Sequence, residues 1–350
     1  MTIELGLFDI HQVDPTDSDS TAEVYERRLK LLSTADRAGL RYAFTAERHF
    51  LQTYRASSAT AWIAAASQRT SQIRLGVLAY TLPMHLPAQL AEEVAVLDQL
   101  SNGRLEVGFG LGHRVEELAA IGIDPADREQ LFQERYAVMT ALWEGGAVTL
   151  DRPGTVVREV AIHPLPLQKP YPPLWFAGRD PQAAMWAGMR GMSLAIGFKR
   201  GIELAQTVAA FRAGCAKRQL DLPGAGRIAL MRQLSIAPTD LEALDGMTED
   251  LDRLHRLGSG GPGDLDKARA AAEQMIQDES FVAGSPETVA RELLTLRERL
   301  DIDVFLANIH AAGVNDERLA HMIGLLANEV TPLIADAPRV QHPREARPAG

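Results

Sequence analysis

Short apolar segments alternate with longer amphipathic stretches along most of this 350-residue chain, and this alternation restricts the possible folds more than any other feature of the sequence. The short segments are apolar nearly throughout, which is typical of strands buried on both faces of a parallel sheet. The pattern predicts eight such strands, at Ile3–Phe8, Tyr42–Ala46, Ile73–Tyr80, Leu105–Gly110, Leu174–Gly178, Met192–Phe198, Ile228–Ile236 and Asp303–Ile309.

Helical periodicity fills the stretches between these strands. The spacing predicts helices at Ala22–Ala38, Pro87–Leu100, Leu131–Trp143, Gly201–Lys217, Ser285–Leu300 and Asn315–Ile334. Eight strands, each followed by a helix, predict an α/β fold of the (β/α)8 barrel type, with a doubly wound open sheet as the alternative. Because no linker rich in proline, glycine or serine divides the chain, residues 1–336 are expected to form a single domain.

Three segments depart from this alternation. Val148–Leu150 and Val156–Ile162 lie on either side of the tripeptide RPG and predict a hairpin. Residues 239–280 form a long insertion, and its glycine-rich stretch Gly258–Asp264 would permit the motion of a lid over the barrel. The terminal residues 337–350 contain proline and arginine and are expected to be disordered.

Charge and composition narrow the functional classes. A formal net charge of −10 repels phosphate backbones, so nucleic acid is not an expected partner. The single cysteine, Cys215, excludes an intrachain disulfide and a thiolate metal cluster. The first residues, MTIELGLFDIHQ, lack the regions of a signal peptide, and no apolar run approaches the ~20 residues of a membrane span. These features predict a cytoplasmic protein that acts on a small molecule and has no membrane partner.

Polar and cationic residues follow the predicted strands at their C-terminal ends, where barrels of this kind carry their chemistry. Their positive charges indicate a site for an anionic ligand, although any barrel that faces water also needs polar loops at its ends. These residues are His11, Glu47, Arg48, His49, Tyr80, Thr81, His113, Arg114, Arg179, Asp180, Lys199, Arg200 and His310.

Two strand-to-helix passages have features of phosphate-binding loops. In GFGLGHR (Gly108–Arg114), closely spaced glycines allow a phosphate to approach the backbone amides, although the same glycines also suit tight strand packing. In FAGRDPQAA (Phe176–Ala184), Asp180 is expected to cap a helix, whose amides together with Arg179 could hold a phosphate. The histidine spacing fits no metal motif, so no metal site is expected.

Several motifs, taken in order, resemble those of one known family. TAERHF (45–50) resembles the family's signature after the second strand, and residues 73–112 resemble its most recognisable passage, with the elements LAEE, LD-x-LS and GR. HPLPLQKPYPPLWFAG, VAGSPETVARELL and NEVTPLI resemble the approach to the fifth strand, the start of a late helix and the closing helix. The family is that of the bacterial luciferase-like, flavin-dependent monooxygenases and their deazaflavin-dependent relatives. The resemblance covers about residues 1–335, except for 239–280.

This resemblance implies a (β/α)8 barrel with reduced FMN (FMNH2) at its C-terminal rim and an oxidation of a small organic substrate by oxygen. It also implies a separate flavin reductase and, by analogy with many relatives, a homodimer through the helices of the first half, with Trp62 and Ile63 as candidate contacts. The first implied cofactor contact is the Leu78–Ala79 peptide bond, which is often cis in the family and lies against the flavin ring. The other implied contacts are Gly110 and Gly112 beside the cofactor, and Gly178 and Arg179 on the side of its phosphate.

The chain departs from the family pattern at two positions. Arg48 stands where luciferase has a histidine that is important for the chemistry, and arginine stays protonated and cannot act as a general base at neutral pH. Leu111 stands where luciferase has an arginine for the flavin phosphate, so Arg114 and Arg179 are the candidates to replace it. Light emission from a long-chain aldehyde is therefore not expected.

The cluster in TAERHF is then assigned as follows. Glu47 is expected to orient the loop after the second strand and the Arg48 side chain. Arg48 and His49 are expected to face the flavin and the substrate, and Arg48 would stabilise an anion there. His49, with a reference pKa of ~6.5, is the candidate for proton transfer. The alternative is an ion pair that only holds the rim together. The alternative functions are hydride transfer with a deazaflavin, whose longer anionic tail suits a cationic rim, and flavin binding without turnover.

Overall fold

Eight parallel strands close into a barrel, which confirms the predicted (β/α)8 architecture and excludes the open sheet. The computed structural model describes residues 2–14, 19–197, 201–218, 222, 224–259, 261–309 and 314–335, without the side chains of 201–203, 258 and 259. In chain order the strands are β1 (Glu4–Asp9), β2 (Tyr42–Thr45), β3 (Arg74–Thr81), β4 (Leu105–Gly110), β5 (Val148–Arg152), β6 (Thr155–Val160), β7 (Leu174–Ala177), β8 (Ser193–Gly197), β9 (Ile228–Ile236), β10 (Phe281–Gly284) and β11 (Val304–Asn308). The barrel follows the order β1-β2-β3-β4-β7-β8-β9-β11 and closes where β11 pairs with β1.

Helices connect the strands. They are α1 (Thr21–Arg37), α2 (Ala59–Ser67), α3 (Pro87–Leu100), α4 (Val115–Ala120), α5 (Arg128–Trp143), α6 (Pro181–Met189), α7 (Gly201–Ala216), α8 (Asp240–Ser259), α9 (Leu265–Gln277), α10 (Pro286–Leu300), α11 (Asp316–Leu325) and α12 (Thr331–Ala335). Short 3-10 turns at Leu82–Met84 and Pro125–Asp127 and a π-helical stretch at Leu326–Val330 complete the described chain. Among the helices of this part of the chain, none is long and apolar enough to cross a membrane.

The barrel strands are mostly apolar because both of their faces are covered. One set of side chains, including Phe8, Phe44 and Trp175, packs inside the barrel. The alternating set, including Leu7 and Val77, packs outward against the helices. Each strand therefore contributes to two cores, which is why the sequence shows continuous apolar runs.

The segments outside the alternation have defined structures where they are described. The predicted hairpin is confirmed as the antiparallel pair β5–β6. The predicted insertion at 239–280 folds into α8 and α9, and the chain then forms β10, which the sequence prediction missed. This strand lies outside the barrel and pairs in parallel with the C-terminal half of β9, from Gln233 to Ile236. The role of the insertion as a lid stays a prediction, and residues 337–350 lie outside the described residues.

Gly108 provides a test of the close packing between β3 and β4. A Cβ at this position would lie 2.2 Å from the Val77 carbonyl oxygen and 2.6 Å from Leu78 Cδ2. Because backbone cannot move aside cheaply, Gly108→Ala is expected to lower the free energy of unfolding by about 3 kcal/mol. Gly324→Ala is the matched control, since Gly324 lies in α11 with no atom within 4 Å of the added Cβ, and should stabilise by ~0.5–1 kcal/mol. Urea unfolding measures both, and equal effects would contradict the packing argument.

Candidate active site

The loops that follow β2, β3, β4 and β7 meet at one rim of the barrel, because these four strands are consecutive neighbours and all run parallel. They contain most of the residues predicted as a site: Glu47, Arg48 and His49 after β2, Gly112 and Arg114 after β4, and Gly178 and Arg179 after β7. Leu78 and Ala79 lie near the end of β3, and Gly110 ends β4.

Glu47 is a buried carboxylate at the end of β2, with an exposed fraction of 2%. Its Oε2 accepts a hydrogen bond of 2.8 Å from the Thr81 backbone N–H, and both carboxylate oxygens lie 3.0 Å from His85 Nε2. Burial alone would raise the pKa of Glu47, but the contacts with His49, His85 and the Thr81 amide outweigh it and lower the pKa to about 2. Glu47 is therefore ionised, and it ties the loop after β2 to the loop after β3.

His49 and Arg48 both lie beside this carboxylate, but they contact it differently. His49 Nε2 is 3.6 Å from Glu47 Oε2, which is an ion-pair distance longer than a hydrogen bond, and Glu47 raises the pKa of His49 above its ordinary value. Arg48 donates from Nη1 to the Glu47 backbone carbonyl oxygen at 3.1 Å. The Arg48 guanidinium thus contacts the main chain of Glu47, and the Glu47 carboxylate is directed to His85 and His49.

A cluster of positive charge surrounds His113 in the loop after β4. The pKa of His113 is lowered first by burial and then by the charges of Arg48, Arg114 and Arg179. Arg114 also forms an ion pair in this loop, since its Nε lies 3.2 Å from Glu117 Oε1. Burial raises the pKa of Glu117 despite these cations. The rim therefore carries an imidazole whose protonation is disfavoured by the surrounding guanidinium groups, an arrangement suited to an anion.

Small residues form the floor beside this cluster. The Leu78–Ala79 peptide bond is cis, as the resemblance implied. A Cβ on Gly110 would lie 3.4 Å from Ala79 Cβ and 3.7 Å from the Ala177 carbonyl oxygen, and one on Gly112 would lie 2.7 Å from Thr81 Cγ2. The ends of β3, β4 and β7 thus carry small residues, of which Ala79 and Ala177 are half-buried and can be approached by a flat ring.

Two expectations about individual residues are wrong. His11 does not line an open site: it is 1% exposed, and its ring packs against Trp62, with ring centroids 4.4 Å apart, near the ion pair of Asp9 and Arg28. Ile63 cannot contact a partner subunit in this conformation, because it is 1% exposed and belongs to the core. Phe198, Lys199, Arg200 and His310 lie outside the described residues.

Asp180 has the capping role that the sequence predicted. Its carboxylate accepts a hydrogen bond of 2.8 Å from the Ala183 N–H at the start of α6. Three residues that contribute to the rim were missed, namely His85, Glu117 and Arg135. His85 follows a turn of only three residues, while Glu117 and Arg135 lie within helices, so strand-end positions gave no signal for them.

The fold is a closed (β/α)8 barrel, and the rim at the carboxyl ends of its strands is cationic and lined by glycines. Enzymes with this fold bind their ligands at the same rim. More specifically, the chain belongs to the luciferase-like monooxygenase family, whose model matches residues 3–301. The predicted family is thereby confirmed.

Proteins that are similar to this chain in sequence or in fold use two kinds of cofactor. The oxygenase component of the flavin-dependent trigonelline monooxygenase of Acinetobacter baylyi is 27% identical over 241 residues, which cover 67% of this chain and 65% of that protein. The FMN complex of the oxygenating constituent of 3,6-diketocamphane monooxygenase from Pseudomonas putida has a TM-score of 0.77 at 19% identity, covering 95% and 99% of the two chains. An F420-dependent secondary alcohol dehydrogenase has a TM-score of 0.72 at 20% identity, with the same coverage. The matched region thus spans just under two thirds of the curated relative, and the two structures share the fold.

Proposed function

We propose that this protein is a flavin-dependent monooxygenase that uses reduced FMN and O2 to oxidise a small organic substrate. The observation that carries the proposal is the cationic cluster of Arg48, Arg114 and Arg179 around His113, in the loop that directly follows the small-residue floor at Gly110. A reduced flavin has a flat ring and an anionic phosphate, and the rim offers a complementary surface to each.

The residues present fit this cofactor. A side chain on Gly110 would extend over Ala79 and Ala177, so glycine keeps the floor open for a ring. The phosphate would be held by Arg114 and Arg179, with Arg48 adding positive charge. Bound reduced FMN would supply the two electrons that convert one oxygen atom of O2 to water while the other atom enters the substrate.

His49 is the residue of this chain that we assign to proton transfer. The ionised Glu47 stabilises the imidazolium form, so that His49 can hold a proton at Nε2 close to neutral pH and release it to the reacting groups. Arg48 stays charged and stabilises an anion instead. Reduced flavin would come from a separate reductase, a division of labour suggested by the relative that is described as an oxygenase component.

The test is an anaerobic titration of the purified protein with reduced FMN, with the deazaflavin in parallel, followed by admission of oxygen. We expect reduced FMN to bind more tightly than the deazaflavin and to be oxidised by O2 while bound. Preference for the deazaflavin, without reaction with O2, would instead indicate hydride transfer of the kind performed by the F420-dependent dehydrogenase. Binding of neither cofactor would indicate a barrel without turnover.

Substitutions of single arginines test which residues bind the phosphate of reduced FMN. Arg114→Gln and Arg179→Gln are each expected to weaken reduced FMN binding about tenfold or more, because each removes a charge-assisted hydrogen bond to the phosphate. Arg158→Gln is the matched control, since Arg158 lies on β6 with a side chain that is 73% exposed. Its effect on the dissociation constant should be within error, and an equal loss in all three variants would contradict the assignment.

A further inference from the structure

Arg135 is a buried guanidinium that holds carbonyl groups of two loops. It lies on α5 with an exposed fraction of 5%, and within the described residues no carboxylate is within ion-pair distance of it. Its Nη1 donates to the carbonyl oxygens of Pro83 and, at 2.9 Å, His85, while its Nη2 donates at 2.9 Å to the Gly154 carbonyl oxygen at the tip of the β5–β6 hairpin. A buried charged group that donates hydrogen bonds to backbone carbonyl groups fixes the conformation of the segments that contain those carbonyl groups.

The segment that Arg135 fixes is the turn that ends at His85. The backbone N–H of His85 donates to the Leu82 carbonyl oxygen at 3.1 Å, and its own carbonyl oxygen accepts from Arg135. Tyr80 packs edge-on against the imidazole, with ring centroids 5.4 Å apart. Because an ionised carboxylate only accepts hydrogen bonds, the proton between His85 and Glu47 must be on His85 Nε2. The imidazole is therefore held at its backbone by Arg135 and at its ring by Glu47.

His85 and His49 share the one carboxylate of Glu47. His85 occupies both oxygens at 3.0 Å, and His49 is left at 3.6 Å. We propose, on the basis of the proposed function, that Arg135 and His85 are positioning residues: they fix the Glu47 carboxylate so that His49 keeps only a long contact with it and remains able to exchange its proton. A carboxylate without His85 would be free to form a full hydrogen bond with His49 and would retain that proton.

The other charged groups near His49 do not change the direction in which removal of His85 shifts the titration of His49. Glu117 faces His49 from α4, Arg48 precedes it in the chain, and Arg114 is paired with Glu117. None of these groups is altered when His85 is removed. Loss of the His85 hydrogen bond makes Glu47 more available to His49, and this raises the pH at which His49 titrates.

The experiment follows the titration of His49 by NMR of protein labelled at the histidine Cε1 atoms, without flavin or substrate, with His49→Gln to assign the signal. His85→Ala is expected to shift the midpoint upward by about one pH unit. His85→Gln, whose amide can donate to Glu47, is expected to restore most of the wild-type midpoint. His85→Leu, which fills the space without a donor, is the second variant if alanine prevents folding. An unchanged midpoint in the donor-less variant, or equal shifts for alanine and glutamine, would overturn the proposal.

Arg135 is tested in the same measurement through a double-mutant cycle. Arg135→Gln should shift the His49 midpoint upward, by no more than His85→Ala does. In the His85→Ala background, Arg135→Gln should cause no further shift, because Arg135 acts through His85. Additive shifts would overturn this part of the proposal. Because no flavin is present, failure of reduced FMN to bind would refute the proposed function and leave this result standing.

Discussion

Replacing Glu47 by glutamine is expected to lower the free energy of unfolding at pH 7 by about 3 kcal/mol. The native structure lowers the pKa of this carboxyl from 4.5 to about 2, which corresponds to about 3 kcal/mol of stabilisation at any pH well above the ordinary pKa. Glutamine keeps the shape but removes the charge that His85 and His49 contact, and it brings N–H donors into the place of an acceptor. Urea unfolding at pH 7 measures this difference.

The pH dependence of this effect has a definite sign. A carboxyl whose pKa is lowered by folding stabilises the native state above its unfolded pKa, and this stabilisation is lost as the pH falls from 4.5 to about 2. The difference between wild type and Glu47→Gln should therefore shrink on acidification and be about half its full value near pH ~3.3. Glu116→Gln is the control, because Glu116 is exposed on the neighbouring helix α4 and should change stability by less than ~0.5 kcal/mol. A difference that does not depend on pH would exclude an ionised Glu47.

The barrel could be predicted because each of its strands must be apolar on both faces. β4 and β9 have the predicted bounds, and each of the other barrel strands differs from prediction by one residue at one or both ends. β10 was missed because it has only four residues and follows an insertion with no strand pattern. The position of β10 also depends on the length of β9, which pairs with β10 outside the barrel. The sequence of β10 alone does not contain this information.

The candidate site was only partly predictable from the sequence. The predicted end of a strand shows which residues lie in the following loop, but it does not show in which direction their side chains point. Strand-end position predicted that Glu47, Arg48 and His49 lie at the rim, where the structure has them, but it also selected His11, whose buried ring packs against Trp62. The pairing of Glu47 with His85 joins residues 38 positions apart, and Arg135 reaches the His85 carbonyl across 50 positions. Such contacts follow from the packing of the turn, the hairpin and α5, and no local pattern encodes them.

Replacing His49 by alanine is expected to slow the oxidation chemistry about 10²–10⁴-fold, the usual contribution of a positioned proton donor or acceptor. The imidazole is partly exposed at the rim, with a side-chain exposed fraction of 19%, and the ionised Glu47 raises its pKa above the ordinary ~6.5. Its protonation should therefore appear as a step in the pH profile, with the rate falling where His49 loses its proton. The alanine variant should lack this step.

The measurement is the rate at which O2 oxidises protein-bound reduced FMN, followed by stopped flow from pH 6 to 9, together with the dissociation constant for reduced FMN. The cationic cluster of Arg48, Arg114 and Arg179 remains in His49→Ala, so the affinity should stay within about threefold of wild type. His321→Ala, at an exposed position of α11, controls for the general loss of an imidazole and should leave both quantities unchanged. A His49→Ala variant that retains the wild-type rate and pH profile would reduce the Glu47–His49 contact to a structural ion pair, and proton transfer would then have to be assigned to another group at the rim.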